Sequence, residues 1–443
     1  MTVASPRDEV LRLAVPAFLT LVAEPLFLLA DAAIVGHLGT AQLAGLGAAS
    51  AALTTAASIF VFLAYGTTAL VSRRLGAGDL PAAIGAGLDG VWLAVLLGLA
   101  SATLTAGFAH PICAAFGVSA DATEHAVTYL RISALGLPAM LLVLATTGIL
   151  RGLQDTRTPL VASVAAFSAN VVLNVTLVYG AGLGIAGAAW GTVIAQAGMA
   201  SALLTVVVRA ARAHHAPMRP HPGRVLQAAA TGVPLLVRTL ALRLAILATA
   251  WVAARLGDVP IAAYQVSATI WTFLAFALDA LAIAAQALTG RALGAGNVPA
   301  VREATALMLR WGVLGGVVLG LLLAGLSPLL PRLFTNDPAV QAALTAGLLV
   351  VAASAPISGH AFVLDGVLIG ANDGRWLAKA QVIAVVGYLP VLALVFGSRD
   401  ALLARGEPVA LAALWAAFAW LMILRSLTLA YRARGDDWLV TGL

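Results

Sequence analysis

Glu24 and Asp31 stand seven residues apart inside an apolar run near the start of the chain. Seven residues are close to two helical turns, so the two carboxylates share a face, about 10 Å apart along the axis. A carboxyl group withdrawn from water favours its neutral form, so this pair suits uptake and release of a proton, or binding of a cation. Pro25 lies beside them; it has no N–H to donate, frees the carbonyl of Leu21 and bends the helix there. Asn170 and Asn174, one turn apart in a later run, present two amides on one face. At lipid depth these amides need partners, and either a carboxylate on a neighbouring helix or plain helix–helix bonding satisfies them. Arg238 and Arg243 occupy a third run, and Arg243, near mid-span, has Asp279 of the next run as its expected ion-pair partner. The alternative is that these arginines hold an anionic substrate or exchange partners. Asp365 and Asp89 lie toward the ends of their runs, where loop arginines are expected to pair with them. Tyr65, Tyr264, Gln265 and Trp271 are candidates to line a cavity, with packing as the competing role for each.

Other chemistry is excluded by pattern. No phosphate-binding loop, nucleophile elbow or H-E-x-x-H helix occurs, and the G-A-G runs at 76–78 and 294–296 lack the Lys and the spacing of a phosphate loop. They read as tight turns. His214, His215 and His221 have no Cys or carboxylate beside them and read as a solvated linker rather than a metal site. The single cysteine, Cys113, rules out an intramolecular disulfide and any multi-Cys metal site. No enzyme chemistry, metal or cofactor is expected, only a coupling ion: H⁺, with Na⁺ as the alternative.

The elements that carry these residues are set by composition. Of 443 residues, 61% are hydrophobic and 10% charged, with a mean hydropathy of +1.00. Soluble domains carry about 25% charged residues, so the chain is a polytopic membrane protein. Twelve spans are expected, at 11–36, 42–70, 82–107, 123–149, 159–180, 186–209, 229–255, 261–289, 303–326, 340–369, 376–397 and 409–431. A β-barrel is excluded, because the runs are far longer than about ten residues and do not alternate. The start, MTVASPRDEV, has no cleavable leader pattern, so the first helix is expected to serve as an uncleaved signal. With the N-terminus inside, sixteen basic residues fall in inner segments and four in outer ones, which puts both termini in the cytoplasm. That asymmetry also accounts for the net charge of +6 without a nucleic-acid partner. The Ala- and Arg-rich composition fits a bacterial inner membrane.

The chain repeats itself at a shift of 218 residues. Pro16 falls on Pro234, Gly39 on Gly257, Arg73 on Arg291, Gly76-Ala77-Gly78 on Gly294-Ala295-Gly296 and Pro138 on Pro356. Gly148, Gly152, Asp155 and Arg157 fall on Gly366, Gly370, Asp373 and Arg375. Six spans per unit is an even number, so the repeat is parallel, as in secondary transporters. The expected organisation is an N-lobe at 1–213, a cytoplasmic linker at 214–224 and a C-lobe at 225–443.

These residues resemble a known family. Glu24-Pro25-Leu26 with Ala30-Asp31-Ala32-Ala33-Ile34-Val35-Gly36-His37-Leu38-Gly39, the run Leu150-Arg151-Gly152-Leu153-Gln154-Asp155-Thr156-Arg157-Thr158-Pro159, and Asn170 and Asn174 followed by Gly184-Ile185-Ala186-Gly187-Ala188-Ala189 are similar to the multidrug and toxic compound extrusion (MATE) family, in its DinF-like branch. Gln286-Ala287-Leu288 and the run from Leu364 to Asp373 echo them in the second half. The resemblance implies an all-α protein of twelve helices in two pseudo-symmetric six-helix lobes, exporting amphipathic organic cations by cation-coupled antiport and alternating access. It places the acidic coupling position on Asp31 and the polar pair on Asn170 and Asn174. Archaeal relatives carry Asp at the second of these, so Asn174 leaves fewer carboxylates here. A further branch has a Glu in the seventh helix; this chain has no acid between Pro234 and Leu256, although Asp279 and Asp365 remain in that half. Two alternatives follow from the same superfamily: an organic-anion exporter and a flippase of lipid-linked precursors. The expected partners are a small organic substrate and the lipid bilayer, with the chain a monomer.

Overall fold

In lipid every backbone polar group must be satisfied within the segment, so uninterrupted apolar runs become helices. The computed structural model describes residues 6–442, apart from the side chains of Pro6, Glu24, Phe27, Leu28 and Leu29. Twelve elements follow in order: α1 (Pro6–Gly36), α2 (Thr40–Gly76, interrupted at Val61), α3 (Leu80–Gly107), α4 (Ala120–Ala134 and Leu137–Gly152), α5 (Arg157–Gly180), α6 (Gly184–Ala213), α7 (Pro222–Leu256), α8 (Asp258–Gly294), α9 (Val298–Leu326), α10 (Pro338–Gly370), α11 (Gly374–Gly397) and α12 (Glu407–Arg434). Short helices at Ala109–Ala114, Leu330–Phe334 and Arg399–Ala404 join some of them, and no strand occurs among the described residues. Ten of the twelve are long and apolar enough to cross a bilayer, and the two parts of α4, bent by 50°, form an eleventh. α1, 31 residues long, precedes these eleven.

The helices outrun their expected ends because the boundary glycines lie one turn beyond the apolar runs. Arg73 and Arg291, expected in loops, stand in the last turns of α2 and α8. Gly78 and Gly296 then turn the chain with φ of 83° and 69°, a region that favours glycine. Asp79 and Asn297 cap the next helices by accepting from the N–H of Ala82 (2.8 Å) and Ala300 (3.1 Å).

The sequence repeat is a repeat of contacts. A Cβ on Gly98 would lie 2.6 Å from Pro138 Cα, and one on Gly316 would lie 2.7 Å from Pro356 Cα. Gly148 crosses α2 at the carbonyl of Ala64, and Gly366 crosses α8 at the carbonyl of Ala282. All four pairs obey the 218-residue shift. Where the halves differ, sequence accounts for it: α4 bends at Gly136, whereas α10 has Ser354 at the corresponding place and runs on.

The described residues divide into two compact units, one of 11–233 with 442 and the other of 6–10 with 234–441. The segment 214–224 folds onto the first unit: Pro217 covers Gly85, Trp92 Nε1 donates to the Met218 carbonyl (3.2 Å) and Arg224 pairs with Asp89 (3.2 Å). The core of the first unit gathers Leu46, Ala49, Tyr129, Leu130 and Ala188; that of the second gathers Leu344, Leu348, Tyr388, Trp415 and Phe418.

Candidate functional site

In the first unit the polar residues of α1, α5 and α6 converge on one carboxylate. Asp31 is 3% exposed. Asn174 Nδ2 donates to its Oδ1, and Thr192 Oγ1 donates to its Oδ2 at 3.5 Å. The same Asn174 nitrogen donates to Asn170 Oδ1 (2.9 Å), and Asn170 Nδ2 donates to Thr192 Oγ1 (3.2 Å). The two amides meet because four residues are about one turn. The one Thr192 hydroxyl proton is shared between Asp31 and the Ala188 carbonyl (3.0 Å). Tyr129 of α4, also buried, stands within electrostatic reach of Asp31. The last turn of α5, Thr176–Gly180, is wound wider than an α-helix, and from it Tyr179 OH donates to the Ile34 carbonyl (2.5 Å). That bond fixes α1 one turn beyond Asp31. No Arg, Lys or His among the described residues bonds Asp31, so its charge meets only neutral donors.

The second unit treats its carboxylate differently. Arg238 Nε donates to Asp365 Oδ1 at 2.9 Å, and the Arg238 terminal nitrogen pairs with Oδ2. Arg425 of α12 approaches Oδ2 at 3.5 Å, lies over the Phe362 ring at 5.7 Å and donates to the Met422 sulfur. All three charged groups are buried. Asp365 is therefore compensated twice over.

This arrangement corrects two expectations. The α7 arginine on a carboxylate is Arg238, not Arg243, and the carboxylate is Asp365, not Asp279. Five residues turn a helix by about 140°, so when Arg238 faces the interior of its unit, Arg243 cannot; Arg243 is exposed. Nor do loop arginines hold Asp365, since Arg238 and Arg425 both lie inside spans. Asp279 is half-buried on α8 and Tyr65 half-buried on α2. Tyr264 packs in the core, stacked on Trp415 with centroids 5.7 Å apart. Gln265 is exposed. Trp271, edge-on to Phe418 at 5.0 Å, does border a narrow apolar gap, with Leu274, Phe362 and Ser358. Pro25 lies inside the unbroken α1, whereas the Glu24 side chain lies outside the described residues. No group of three or more His, Cys, Asp or Glu among the described residues could hold a metal.

Thr192, Tyr129 and Arg425 were not foreseen as members of these clusters. Arg425 carried the available signal, a basic residue inside an apolar run. Thr192 and Tyr129 carried none, since Thr and Tyr are common in spans.

The family model named MatE matches twice, over residues 16–176 and 234–397, and the two matches begin 218 residues apart, in the register of the repeat. This chain belongs to the MatE family. It is 32% identical to Protein DETOXIFICATION 44, chloroplastic, of Arabidopsis thaliana over 96% of this chain and 81% of that protein. It is 30% identical to DNA damage-inducible protein F of Escherichia coli over 94% of this chain and 90% of that protein. A solved variant of a Vibrio cholerae MATE transporter has the same fold, with a TM-score of 0.87 at 19% identity over 98% of each chain. The MatE chain is thus a multi-pass membrane transporter of the MATE fold and not an enzyme.

Proposed function

We propose that this MatE protein is a proton-coupled antiporter that exports amphipathic organic cations by alternating access, with Asp31 as the protonation site. One observation carries the reading: Asp31 is buried, and only amide and hydroxyl donors meet its charge. Burying an uncompensated carboxylate is costly, and such a group tends to neutralise instead. Asp365, between two guanidiniums, has no such tendency.

Protonation changes what Asp31 can bond. The carboxylate accepts from Asn174 and Thr192; the neutral acid must donate. An acceptor stands ready, because Asn174 Oδ1 is buried without a hydrogen-bond partner among the described residues. Turning the Asn174 amide would present that oxygen to the acid and change its bond to Asn170. Proton binding then biases α1 between two packings, as a two-state element requires. A pH gradient of one unit supplies about 1.4 kcal/mol per proton, a bias of about tenfold. Substrate and proton must alter each other's affinity reciprocally.

The test is ethidium transport in everted membrane vesicles under an imposed proton or sodium gradient, for the wild type and Asp31→Asn. Proton-driven transport lost in the variant is the expected result. Sodium-driven transport, or full proton-driven activity in Asp31→Asn, overturns the reading. A second reading, export of organic anions, rests on Arg243, a mid-span arginine exposed on its unit with no ion pair among the described residues. It predicts transport of a fluorescent carboxylate that Arg243→Gln abolishes.

A further inference from the structure

We infer that Gly191 is a positioning residue of the protonation site: its missing side chain makes the space that holds Asn174 against Asp31. The inference rests on the reading of Asp31 as the coupling carboxylate. A Cβ built on Gly191 collides with Asn174 Oδ1, and it would also lie 3.0 Å from Asn174 Cγ and 3.2 Å from the Asn174 backbone nitrogen. The amide head therefore occupies the place where any other residue on α6 would put its side chain. It cannot retreat easily, since Asn174 is fully buried and its nitrogen is engaged by Asp31 and Asn170. Gly191 also precedes Thr192, the second donor to Asp31, so one turn of α6 supplies both the gap and the hydroxyl.

The duplication provides an internal control. Some glycines that allow two backbones to cross recur in both halves, as Gly148 and Gly366 do, although Gly187 of α6, which meets the Leu177 backbone, has no such counterpart. Gly191 does not follow that pattern. The 218-residue shift puts Leu392 in the place of Asn174, and α12, the counterpart of α6, contains no glycine at all. The half without the amide also lacks the glycine. The gap at Gly191 is the one that the Asn174 amide fills.

The groups around Asp31 bound what a change at Gly191 can do. Asn170 and Asn174 face it from α5, Thr192 from α6 and Tyr129 from α4, while Tyr179 holds the α1 backbone at Ile34. Only Tyr129 and Tyr179 among these are titratable. Displacing Asn174 removes one hydrogen bond to the carboxylate, which is worth about one pH unit in the midpoint of protonation.

The experiment is an infrared pH titration of the purified, reconstituted protein, following the carboxylic-acid C=O band that disappears in Asp31→Asn. In Gly191→Ala the midpoint of that band is expected to rise by about one unit. Adding Gly191→Ala to Asn174→Ala is expected to shift it no further, because the clash is gone. If Gly191→Ala does not fold, the double variant is expected to fold, which supports the inference in the same way. An unmoved midpoint in Gly191→Ala overturns the inference while Asp31 stands. An additional shift on the Asn174→Ala background, or failure of the double variant to fold, also overturns it. A band unaffected by Asp31→Asn overturns the protonation reading, and the inference falls with it.

Discussion

At Asp31 both carboxylate oxygens accept from uncharged groups, whereas at Asp365 both oxygens face arginines. Their substitutions should therefore fail in different ways. Asp31→Asn keeps the shape and removes the titration, so a folded protein without proton-driven transport is expected, with its thermal unfolding midpoint close to that of the wild type. Asp365→Ala leaves Arg238 and Arg425 buried without their counter-charge, at a cost of about 3–5 kcal/mol. The expected result is a large drop in the unfolding midpoint measured by size-exclusion after heating. Replacing the whole group with Arg238→Met, Asp365→Leu and Arg425→Met should recover most of that loss, because apolar substitutes of similar volume are often neutral for buried ion groups. If the triple variant is as unstable as Asp365→Ala, the charges do more than compensate one another. The residue types were legible before the fold was known: a carboxylate, two amides and two arginines in apolar runs. The partner of each arginine was not, because a spacing of five fixes the angle between Arg238 and Arg243 but not which of them faces inward.

The helices themselves were legible in number and order because lipid leaves no other choice for long apolar runs. Their ends were less so: α2 and α8 carry Arg73 and Arg291 inside the helix, where Arg291 reaches water from the last turn of its span and Arg73, buried, donates to the Gly442 carbonyl (2.6 Å). What determines how the helices cross is glycine. Gly148 against Ala64 and Gly366 against Ala282 are the same contact made twice. A Cβ added at either place meets backbone, which cannot move aside. Gly148→Val and Gly366→Val are therefore expected to impair folding alike, each lowering the yield of monodisperse protein in detergent severely. Gly315→Val, on the same α9 as the closely packed Gly316 but with open space around it, is expected to be tolerated. Equal yields from all three variants would remove the packing argument. Read along the chain, these glycines look alike, and only the crossing partner separates them.

On the scale of the whole molecule, duplication explains why one carboxylate and not two serves the proposed coupling. Shifted by 218 residues, Asp31 falls on Thr249, Asn170 on Tyr388 and Asn174 on Leu392. Thr249 and Tyr388 still meet, with their hydroxyl oxygens 2.6 Å apart, and Thr249 also donates to the Ala245 carbonyl at 2.7 Å. The second unit thus keeps the geometry of the pair of helices but has a neutral hydroxyl bond where the first has an acid. A neutral pair cannot take up a proton in the working range of pH, since a tyrosine hydroxyl titrates near 10 even when unperturbed. The number of protons exchanged per substrate should then be one, set by Asp31 alone, and Thr249→Val with Tyr388→Phe should leave both that number and the pH profile of transport unchanged. The measurement is the pH gradient at which net substrate flux reverses in proteoliposomes, read at several imposed membrane potentials. One proton exchanged for a singly charged cation carries no net charge, so the reversal should follow the pH gradient and ignore the membrane potential. A reversal that moves with the potential would mean that a second charge travels with the cycle, and a further carboxylate, Glu24 of α1 or one in the second unit, would have to supply it.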